Sequence, residues 1–396
     1  MRFVQLLAES GLAGRGGASF PTGAKLKGLI GRGPVNCLVV NAMEGEPSSM
    51  KDSVLLTYSP HLVLDGAQLV ALALGARRIV VSIPRQQESL GRAVALALAE
   101  RAETDLSTKT VEIATRPGRY IAGEESALVS WLGGGDGLPE FRIDKAQPLS
   151  MRDGSGLALV HNPETLAHVA LIARHGARWF RTRGTHDAPG SCLVTLSGAV
   201  ERPGVFEVPF GSPVLSIVER AMPRSPVTAV LIGGFSGTWL SGAQLQVPYS
   251  QEELSRIGAS IGAGVLIAVD GSVCAVAESA RVANYMAGES AGQCGPCVFG
   301  LSSIAGDLSL AADGVVDAGL ERRLRTRLAL VEGRGACKHP DGAVRMVRSA
   351  LRTFEEDFSA HLAGRPCAAR GRPSVMGLCD PDQLETWRGR ERERGS

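Results

Sequence analysis

The stretch NCLVVN at residues 36–41 is a short apolar run with polar ends, the pattern of a strand that is buried on both faces of a parallel sheet. A leucine- and alanine-rich helical pattern at residues 61–75 ends at a glycine, and RIVVSI at residues 78–83 repeats the strand pattern. Residues 89–101 are again helical in pattern, and residues 110–114 form a third strand. This alternation of strands and helices predicts a Rossmann-like α/β domain with right-handed crossovers.

The chain changes character after this first domain, which we place at residues 1–160. Residues 161–250 carry short strands and turns and predict a small α+β domain. Residues 251–364 become mostly helical, which predicts a C-terminal four-helix bundle. The helices are expected at residues 280–287, 301–312, 320–331 and 343–362. Residues 365–396 are rich in arginine and predict a disordered tail.

Composition excludes several classes of protein. The formal net charge of +2 argues against an overall grip on nucleic acid, which needs a concentrated basic face. The chain has no apolar stretch of about 18 residues or more, so we expect no membrane span. Residues 1–9 lack the features of a secretory signal, and eight cysteines are too few for a disulfide scaffold. We therefore expect a cytoplasmic protein.

The stretch GLAGRGGASFPTG at residues 11–23, followed by Lys25, clusters glycines beside basic side chains. Clustered glycines let backbone amides approach a phosphate, and six lysines against thirty-six arginines make Lys25 notable. The dinucleotide fingerprint fits poorly because Ser19 stands where its third glycine belongs. A flexible, glycine-rich segment without a ligand is the alternative interpretation.

Acidic residues follow strands at two further places. NAMEGEPSSMKD at residues 41–52 comes directly after the first strand, and GRYIAGEESALVSWL at residues 118–132 follows the third. Ligands bind at the carboxyl ends of parallel strands, so both segments are candidates for a ligand site. A solvated acidic loop and a helix N-terminus that attracts carboxylates are the alternatives.

The cysteines divide into two classes. Cys37, Cys192 and Cys274 lie inside apolar runs and are expected to be core thiols. Cys294 and Cys297 form a Cys-Gly-Pro-Cys pair, and Cys337 follows some forty residues later. In a reducing compartment, a close pair with a distant third cysteine favours a metal or cluster over disulfides.

Several of these motifs, taken in order, resemble a known family. GRGGASFPTG, NAMEGEP, RYIAGEESAL and ESAGQCGPC are similar to motifs of the NADH-binding FMN/iron–sulfur flavoprotein subunit of respiratory complex I. This family of 51 kDa subunits includes the diaphorase subunits of hydrogenases and formate dehydrogenases. SGAVERPGVFEVPFG at residues 197–211 resembles the family's ubiquitin-like, soluble-ligand-binding β-grasp domain.

The resemblance implies an FMN-dependent NADH dehydrogenase that passes electrons to an iron–sulfur cluster and then to a ferredoxin-like or quinone-linked partner. Its implied FMN-binding residues are Gly14, Arg15, Gly16, Lys25, Asn41, Glu44, Gly123, Glu124, Asn162 and Thr165. Its implied NADH-binding residues are Phe20, Glu46 and Glu125. The flavin carries the chemistry, so no protein group is expected to act as the acid or base.

Three positions depart from the family pattern. Met43 replaces an aspartate in the flavin loop, and His161 replaces an asparagine, although a neutral imidazole can still hydrogen-bond. Ala291 replaces the first cluster cysteine and cannot ligate iron. The resemblance leaves Cys294, Cys297 and Cys337 as ligands, which are open to a 4Fe-4S or 3Fe-4S cluster.

The fourth ligand is expected to be His339 or Cys367. A structural zinc ion held by three cysteines and His339 is an alternative, as is the absence of any metal.

These departures keep two other functions open. One is a ferredoxin-linked flavoprotein that does not oxidise NADH, and the other is a degenerate binding or assembly module with structural zinc. The expected partners are a ferredoxin-like or thioredoxin-like redox subunit, and peripheral association with a membrane complex is left open. The arginine-rich tail either docks an acidic ferredoxin or is merely solvated.

Overall fold

The structure is a computed structural model that describes residues 2–104, 109–142, 147–365 and 367–376. The chain forms two compact units. Unit 1 comprises residues 1–195, 204–217 and 246–265, and unit 2 comprises residues 196–203, 218–245 and 266–396. Residues 377–396 of the predicted tail lie outside the described residues. In the described part of the chain, no helix is both long and apolar enough to cross a membrane.

Unit 1 is built on a five-stranded sheet in the order β3-β2-β1-β5-β4. Its strands are β1 (Val35–Asn41), β2 (Arg78–Pro84), β3 (Val111–Arg116), β4 (Leu149–Ser150) and β5 (Leu157–His161). The first three match the predicted strands, whereas β5 was not predicted. Strand β1 pairs in parallel with both β2 and β5, and β4 adds an antiparallel edge. The chain order reverses at β1, so the carboxyl ends of β1 and β5 form a topological switch point, where open α/β sheets bind ligands.

Both faces of β1 are buried, which explains its unbroken apolar sequence. Leu38 and Val40 belong to one hydrophobic cluster, and Cys37 and Val39 belong to another. The predicted helices at residues 61–75 and 89–101 are present. A 3-10 helix spans Tyr120–Gly123, and eight α-helices precede the second sheet in the described residues. They are α1 (Arg2–Ser10), α2 (Thr22–Lys27), α3 (Lys51–Tyr58), α4 (Pro60–Leu74), α5 (Glu88–Ala102), α6 (Glu125–Leu132), α7 (Pro163–His175) and α8 (Ala177–Phe180).

Helices α4 and α7 approach each other closely at Gly66 of α4. A Cβ atom on Gly66 would lie 1.9 Å from the backbone oxygen of Leu166 in α7. Glycine is required here by space, because any side chain would collide with backbone rather than with a movable side chain.

A second sheet has the strand order β7-β6-β10-β8-β9. Its strands are β6 (Ser191–Gly198), β7 (Gly204–Pro209), β8 (Val227–Ile232), β9 (Thr238–Ser241) and β10 (Val265–Asp270). Strands β8 and β9 pair antiparallel, as do β10 and β8. Two short helices accompany them, α9 (Val214–Glu219) and α10 (Gln251–Arg256). Strand β10 extends this sheet past the boundary predicted at residue 250.

The C-terminal part of unit 2 is helical, as predicted. Its helices are α11 (Ala275–Gly288), α12 (Ser302–Ala312), α13 (Leu320–Val331), α14 (His339–Thr353) and α15 (Glu355–Leu362), with a π-helical segment at Pro296–Leu301. The prediction of one helix over residues 343–362 was wrong, because Phe354 interrupts it with φ −119° and ψ 36°. The Phe354 side chain is buried, and its ring centroid lies 5.0 Å from that of Trp239. This contact stabilises the break between α14 and α15.

Candidate functional site

The polar segments singled out in the sequence meet at the switch point of unit 1. The amide of Arg15, in the glycine-rich loop, donates to Thr165 Oγ1 at 2.8 Å. Asn41, at the end of β1, donates from Nδ2 to the oxygen of Gly123 at 2.8 Å. Lys25 Nζ lies 2.8 Å from the oxygen of Val160 in β5. Loop, strand ends and the segment before α6 therefore form one continuous surface.

The side chain of Arg15 points into the protein and not toward the open side of the loop. Its guanidinium donates to the oxygens of Ala13 at 2.9 Å and Ser191 at 3.0 Å, and its Nε lies 3.8 Å from Glu164. It also stacks on the Phe210 ring, 4.6 Å from the centroid. These contacts make Arg15 a buried support for the loop, with its backbone on the surface.

A buried ion network lies beneath this surface. Lys51 Nζ is 2.8 Å from Asp52, 3.0 Å from Glu164 and 3.1 Å from Asn162 Oδ1. Asn162 Nδ2 closes the ring by donating to Asp52 at 2.6 Å. Asn162 and Lys51 thereby join the loop after β1 to the start of α7.

Burial splits the pKa values of the two acids. Burial alone would raise the pKa of Glu164, but Lys51, His168 and Arg15 outweigh it and bring the pKa to about 2. Burial raises the pKa of Asp52. The positive charge of Lys51 offsets part of this rise and the carboxylate of Glu44 adds to it, which brings the pKa to about 7. The pKa of Lys51 is raised, since the two carboxylates outweigh its own burial. Glu164 and Lys51 are therefore the permanent ion pair of the network.

Glu44 organises the acidic loop after β1. Its carboxylate accepts hydrogen bonds from Ser49 Oγ at 2.8 Å and from the amides of Asp52 and Ser53 at 2.9 Å each. Its backbone is left-handed, with φ +40°. A non-glycine residue in this conformation is uncommon, and here the hydrogen bonds over-determine it.

The two glutamates at the start of α6 have different surroundings. Glu124 is the N-cap, and its Oε2 accepts from the amide of Ala127 at 2.9 Å. Glu125 is half-exposed and lies 2.9 Å from Lys25 Nζ. The Lys25 ammonium group therefore lies at the edge of the surface. Glu124 instead caps α6, and one of its carboxylate oxygens accepts the hydrogen bond from the helix N-terminus.

His161, at the end of β5, carries an unsatisfied polar atom. Its Nε2 is buried and has no hydrogen-bond partner among the described residues. Burial and the charge of Lys25 hold the pKa of His161 well below its usual value, so the imidazole is neutral. A buried polar atom without a partner at a strand end is what a bound ligand would satisfy.

The expected nicotinamide residues lie on the same unit. Phe20 is 52% exposed, which leaves its ring face available for stacking. Glu46 is buried, and the Tyr120 hydroxyl lies 3.3 Å from its Oε2. Glu125 is half-exposed and paired with Lys25.

A pocket beside the glycine loop is a poor candidate for a phosphate site. Its charged lining residues include Arg15, Lys51 and Glu164. These are the paired members of the buried network, so their charges are already compensated. We therefore assign the ligand surface to the strand ends and not to this pocket.

The expected cluster cysteines lie in unit 2. Burial, Cys294 and Cys337 together raise the pKa of Cys297 to about 12, so the three thiols are electrostatic neighbours. The backbone of Ala291 lowers the pKa of Cys297 in part, so position 291 lies near that sulfur. In the described part of the chain, the three thiols do not form a group at single-ion spacing. A cluster spreads its ligands over several irons, so thiols that are not at single-ion spacing are compatible with a cluster.

The two expected fourth ligands, His339 and Cys367, have different surroundings. His339 is buried at the start of α14, and its Nε2 is 2.7 Å from the oxygen of Met286. Cys367 belongs to a separate group with Cys274 and His361, whose ligand atoms all lie within 4.8 Å of one another.

Comparisons with known proteins agree with the motif resemblance. Residues 7–171 match the family model of the Nuo51 FMN-binding domain, and residues 277–361 match that of the NADH-ubiquinone oxidoreductase-F iron-sulfur binding region. The F 2 subunit of NADH-quinone oxidoreductase from Rhizobium meliloti (strain 1021) is 32% identical over 378 residues, covering 92% of this chain and 89% of that protein. The chain belongs to the family of 51 kDa flavoprotein subunits.

Other members of the 51 kDa family give the same result. The F subunit of NADH-quinone oxidoreductase from Escherichia coli (strain K12) is 31% identical over 373 residues, covering 90% of this chain and 83% of that protein. The crystal structure of an air-oxidised NAD+-reducing NiFe-hydrogenase superposes with a TM-score of 0.83 at 32% identity, covering 94% of this chain and 67% of that chain. The predicted class, an FMN- and 4Fe-4S-containing NADH oxidoreductase with an α/β FMN-binding domain, is confirmed.

Sequence reasoning missed several residues that lie beneath the candidate ligand surface and support it. Lys51 and Asp52 end the quoted acidic segment, and the scarcity of lysine could have singled out Lys51 as it did Lys25. Glu164 lies between the two predicted residues Asn162 and Thr165. Its pairing with Lys51 joins positions far apart in the chain, so local patterns carry no signal for it.

Proposed function

We propose that this chain is the NADH-oxidising subunit of a multi-subunit redox complex, and that it binds FMN at the switch point of unit 1. The convergence of the glycine loop, the ends of β1 and β5, and the start of α6 carries this proposal. The orphaned Nε2 of His161 at their meeting point fits a ligand with polar ring edges. Bound FMN would accept hydride from NADH and release electrons singly.

The phosphate end of FMN fits the glycine loop and Lys25. The amide of Gly14 donates to Phe20 and that of Arg15 to Thr165, so we assign the phosphate to the amides of Gly16 and Gly17 that follow. A Cβ on Gly16 would lie 3.4 Å from Asn162 Cβ, which keeps this approach narrow. Lys25 would supply the positive charge.

The ring of FMN fits the strand ends. Asn41 and Gly123, already hydrogen-bonded to each other, would form one edge of the seat, with Glu124 beside them. His161 would donate or accept at Nε2 in the place where the family has asparagine. Glu44, Asn162 and Thr165 would support FMN indirectly, because each holds a loop or helix end in position.

We assign NADH to the exposed side of this seat. The Phe20 ring would stack against the nicotinamide nucleotide, and the carboxylates of Glu46 and Glu125 would accept hydrogen bonds from ribose hydroxyls. Lys25 and Glu125 form an exposed pair that costs little to rearrange when the dinucleotide binds.

For the cluster we propose three thiolates, from Cys294, Cys297 and Cys337, with no thiolate from position 291. His339 is the remaining candidate for a fourth protein ligand, although its Nε2 faces Met286. We also propose that the second sheet is the family's β-grasp module and that the C-terminal helices form the cluster-bearing bundle. We place the domain boundaries near residues 160 and 364, with the middle boundary moved from residue 250 to the end of β10 near residue 270.

The electron acceptor is proposed to be a ferredoxin-like or thioredoxin-like subunit of the same complex, in a cytoplasmic location peripheral to any membrane partner. The names of the relatives, NADH-quinone oxidoreductases and an NAD+-reducing hydrogenase, support a multi-subunit setting. Docking through the arginine-rich tail is part of this proposal and is tested by truncation after Gly364 and the salt dependence of ferredoxin reduction.

The decisive experiment is anaerobic stopped-flow mixing of the FMN-loaded full chain with NADH, followed at the flavin absorption band. Rapid bleaching is expected, and a flavin that stays oxidised at millimolar NADH would refute the dehydrogenase. His161→Asn should retain FMN and bleaching, whereas His161→Ala should lose FMN on dialysis. His175→Ala, in the last turn of α7, is the matched control and should keep it.

A further inference from the structure

Three metal-ligating side chains meet in unit 2, outside the expected cluster site. Cys274 lies just before α11, His361 is in the last turn of α15, and Cys367 follows six residues later. Their Sγ, imidazole nitrogen and Sγ atoms all lie within 4.8 Å of one another. Cys274 and His361 are buried, and Cys367 is half-buried. The sequence alone suggests a core thiol for Cys274, so the fold creates this group.

The spacing of the group is that of a single tetrahedral ion. Cys274 Sγ lies 3.6 Å from His361 Nε2. Zinc bonds of about 2.3 Å to sulfur and about 2.0–2.1 Å to nitrogen, at a tetrahedral angle, would place these two atoms about 3.6 Å apart. The two side chains are therefore already arranged as neighbouring ligands.

The imidazole of His361 is oriented from behind. Its Nδ1 lies 3.1 Å from the oxygen of Ala311 and 3.2 Å from that of Ala312, so Nδ1 carries the proton. The lone pair of Nε2 then faces the two cysteines and accepts from the amide of Cys367 at 3.2 Å, a hydrogen bond that a zinc–nitrogen bond would replace. A carbonyl behind the ring and thiols in front of it is the arrangement that metal-bound histidines show.

The Cys274 sulfur lies at the N-terminus of α11, although burial raises the pKa of this thiol to about 11. This Sγ caps the fourteen-residue helix and accepts from the amide of Ala277 at 3.4 Å. The positive end of the helix dipole stabilises negative charge on the sulfur. Two thiolates and one imidazole form a soft donor set that selects zinc over magnesium or calcium.

We propose that Cys274, His361 and Cys367 bind a structural zinc ion. Its site is separate from the cluster thiols, and Cys274 and Cys367 both lie outside the residues 277–361 that match the iron–sulfur region. Binding releases the thiol protons to solvent as both sulfurs become thiolates, and no electron is transferred. The fourth zinc ligand comes from outside these three residues. This inference is independent of the proposed NADH oxidation.

The zinc ion would fasten the chain after α15 onto α11. Residues near Cys367 already contact that helix, because buried Glu278 accepts from Ser374 Oγ at 2.7 Å and from the amide of Val375 at 3.3 Å. Met376 is buried as well. With zinc bound at Cys367, this segment is held at both ends.

The first test is the metal content of the full chain after expression with added zinc, measured by plasma mass spectrometry together with iron and flavin. About one zinc per chain is expected. Cys274→Ser and Cys367→Ser should lose most of it while iron and flavin remain. Serine is itself a good N-cap, so C274S should keep the start of α11. Cys37→Ala, at a buried lone thiol, is the matched control and should retain zinc.

Two further measurements identify the ligands and the role. Zinc K-edge X-ray absorption, which is blind to flavin and iron, should show sulfur near 2.3 Å and nitrogen near 2.0–2.1 Å. Limited trypsin digestion should cut after Arg370 faster when a chelator removes zinc from the wild type, and at the faster rate in C274S with or without chelator. Arg365 and Arg372 precede proline and resist trypsin.

Several outcomes would overturn the proposal. These are wild-type protein with almost no zinc, zinc that persists in both serine variants, zinc that is lost in Cys297→Ser instead, or a Cys274–Cys367 disulfide in the intact mass. Loss of zinc with normal NADH bleaching refutes nothing in the proposed function, so the two proposals fail separately.

Discussion

The ammonium group of Lys51 lies 3.0 Å from the carboxylate of Glu164, and both side chains are almost completely buried. The pair joins the start of α3, after the β1 loop, to the first turn of α7, after β5. Removing one partner of a buried ion pair leaves an uncompensated charge, which is more damaging than the pair is stabilising. The ends of β1 and β5 are therefore held together from below by charge.

Lys51→Met is expected to destabilise unit 1 by about 3–5 kcal/mol, because it leaves Glu164 and Asp52 buried without their cation. FMN should also dissociate at lower denaturant concentration. Urea unfolding of the FMN-loaded chain, followed by flavin fluorescence, measures both. Lys27→Met makes the same chemical change at an exposed position of α2 and should shift the midpoint little. Equal midpoints for the two variants would show that the pair is unimportant.

Asp52 should make stability depend on pH in the neutral range. Its pKa is raised by burial to about 7 in the folded chain, against about 4 in an unfolded one. Between these values the folded chain holds a proton that the unfolded chain has released, so stability falls as pH rises from about 4 to about 7. Asp52→Asn cannot ionise and should flatten this dependence.

Thermal melts of the wild type and D52N at several pH values from 5.5 to 8, roughly the range over which Asp52 ionises, test this expectation. Asp187→Asn changes an exposed aspartate of the same unit and should follow the wild-type slope. A slope in D52N as steep as in the wild type would contradict the assignment.

Two helical glycines should respond oppositely to alanine. Gly66→Ala places a Cβ 1.9 Å from the oxygen of Leu166 and must push α4 from α7, at a cost of about 3 kcal/mol or more. Gly306→Ala, in α12, meets no atom within 4 Å and should stabilise by up to about 1 kcal/mol. Urea titration followed by circular dichroism distinguishes them, and similar effects of the two substitutions would disprove the close approach.

Ala291→Cys should restore the missing thiolate, because the backbone of residue 291 lies near enough to the Cys297 sulfur to lower the pKa of that thiol. We expect the cluster to survive air several-fold longer and its electron paramagnetic resonance spectrum to change after reduction. Ala318→Cys adds an exposed thiol in the same unit and should alter neither property. If A291C behaves as the wild type, the fourth iron already has a strong protein ligand.

Local patterns were sufficient for much of unit 1 but not for its site. Strands β1, β2 and β3 are apolar runs between helices, so their sequence predicts them. Strand β5 has only five residues and follows a glycine-rich turn. Strand β10 is wholly buried but stands outside the alternation of strands and helices, so neither strand was predicted. The motif residues that we assign to FMN were identified by family resemblance.

Tertiary contacts explain what the sequence could not predict. Glu164, which pairs with Lys51, and Cys274, which lies against His361, are distant from them in the chain and share no periodicity with them. Cys367 had been expected at the cluster because it is a cysteine near the last helix, but its position depends on how the chain turns after α15.

The stacking of Arg15 on Phe210 has a kinetic consequence. The loop is held by the Phe210 ring, by two carbonyl oxygens and by Thr165. It would therefore lose little conformational entropy when a nucleotide binds. If FMN binds where we propose, this preorganised loop should release it slowly, although the Arg15 side chain points away from the open side of the loop.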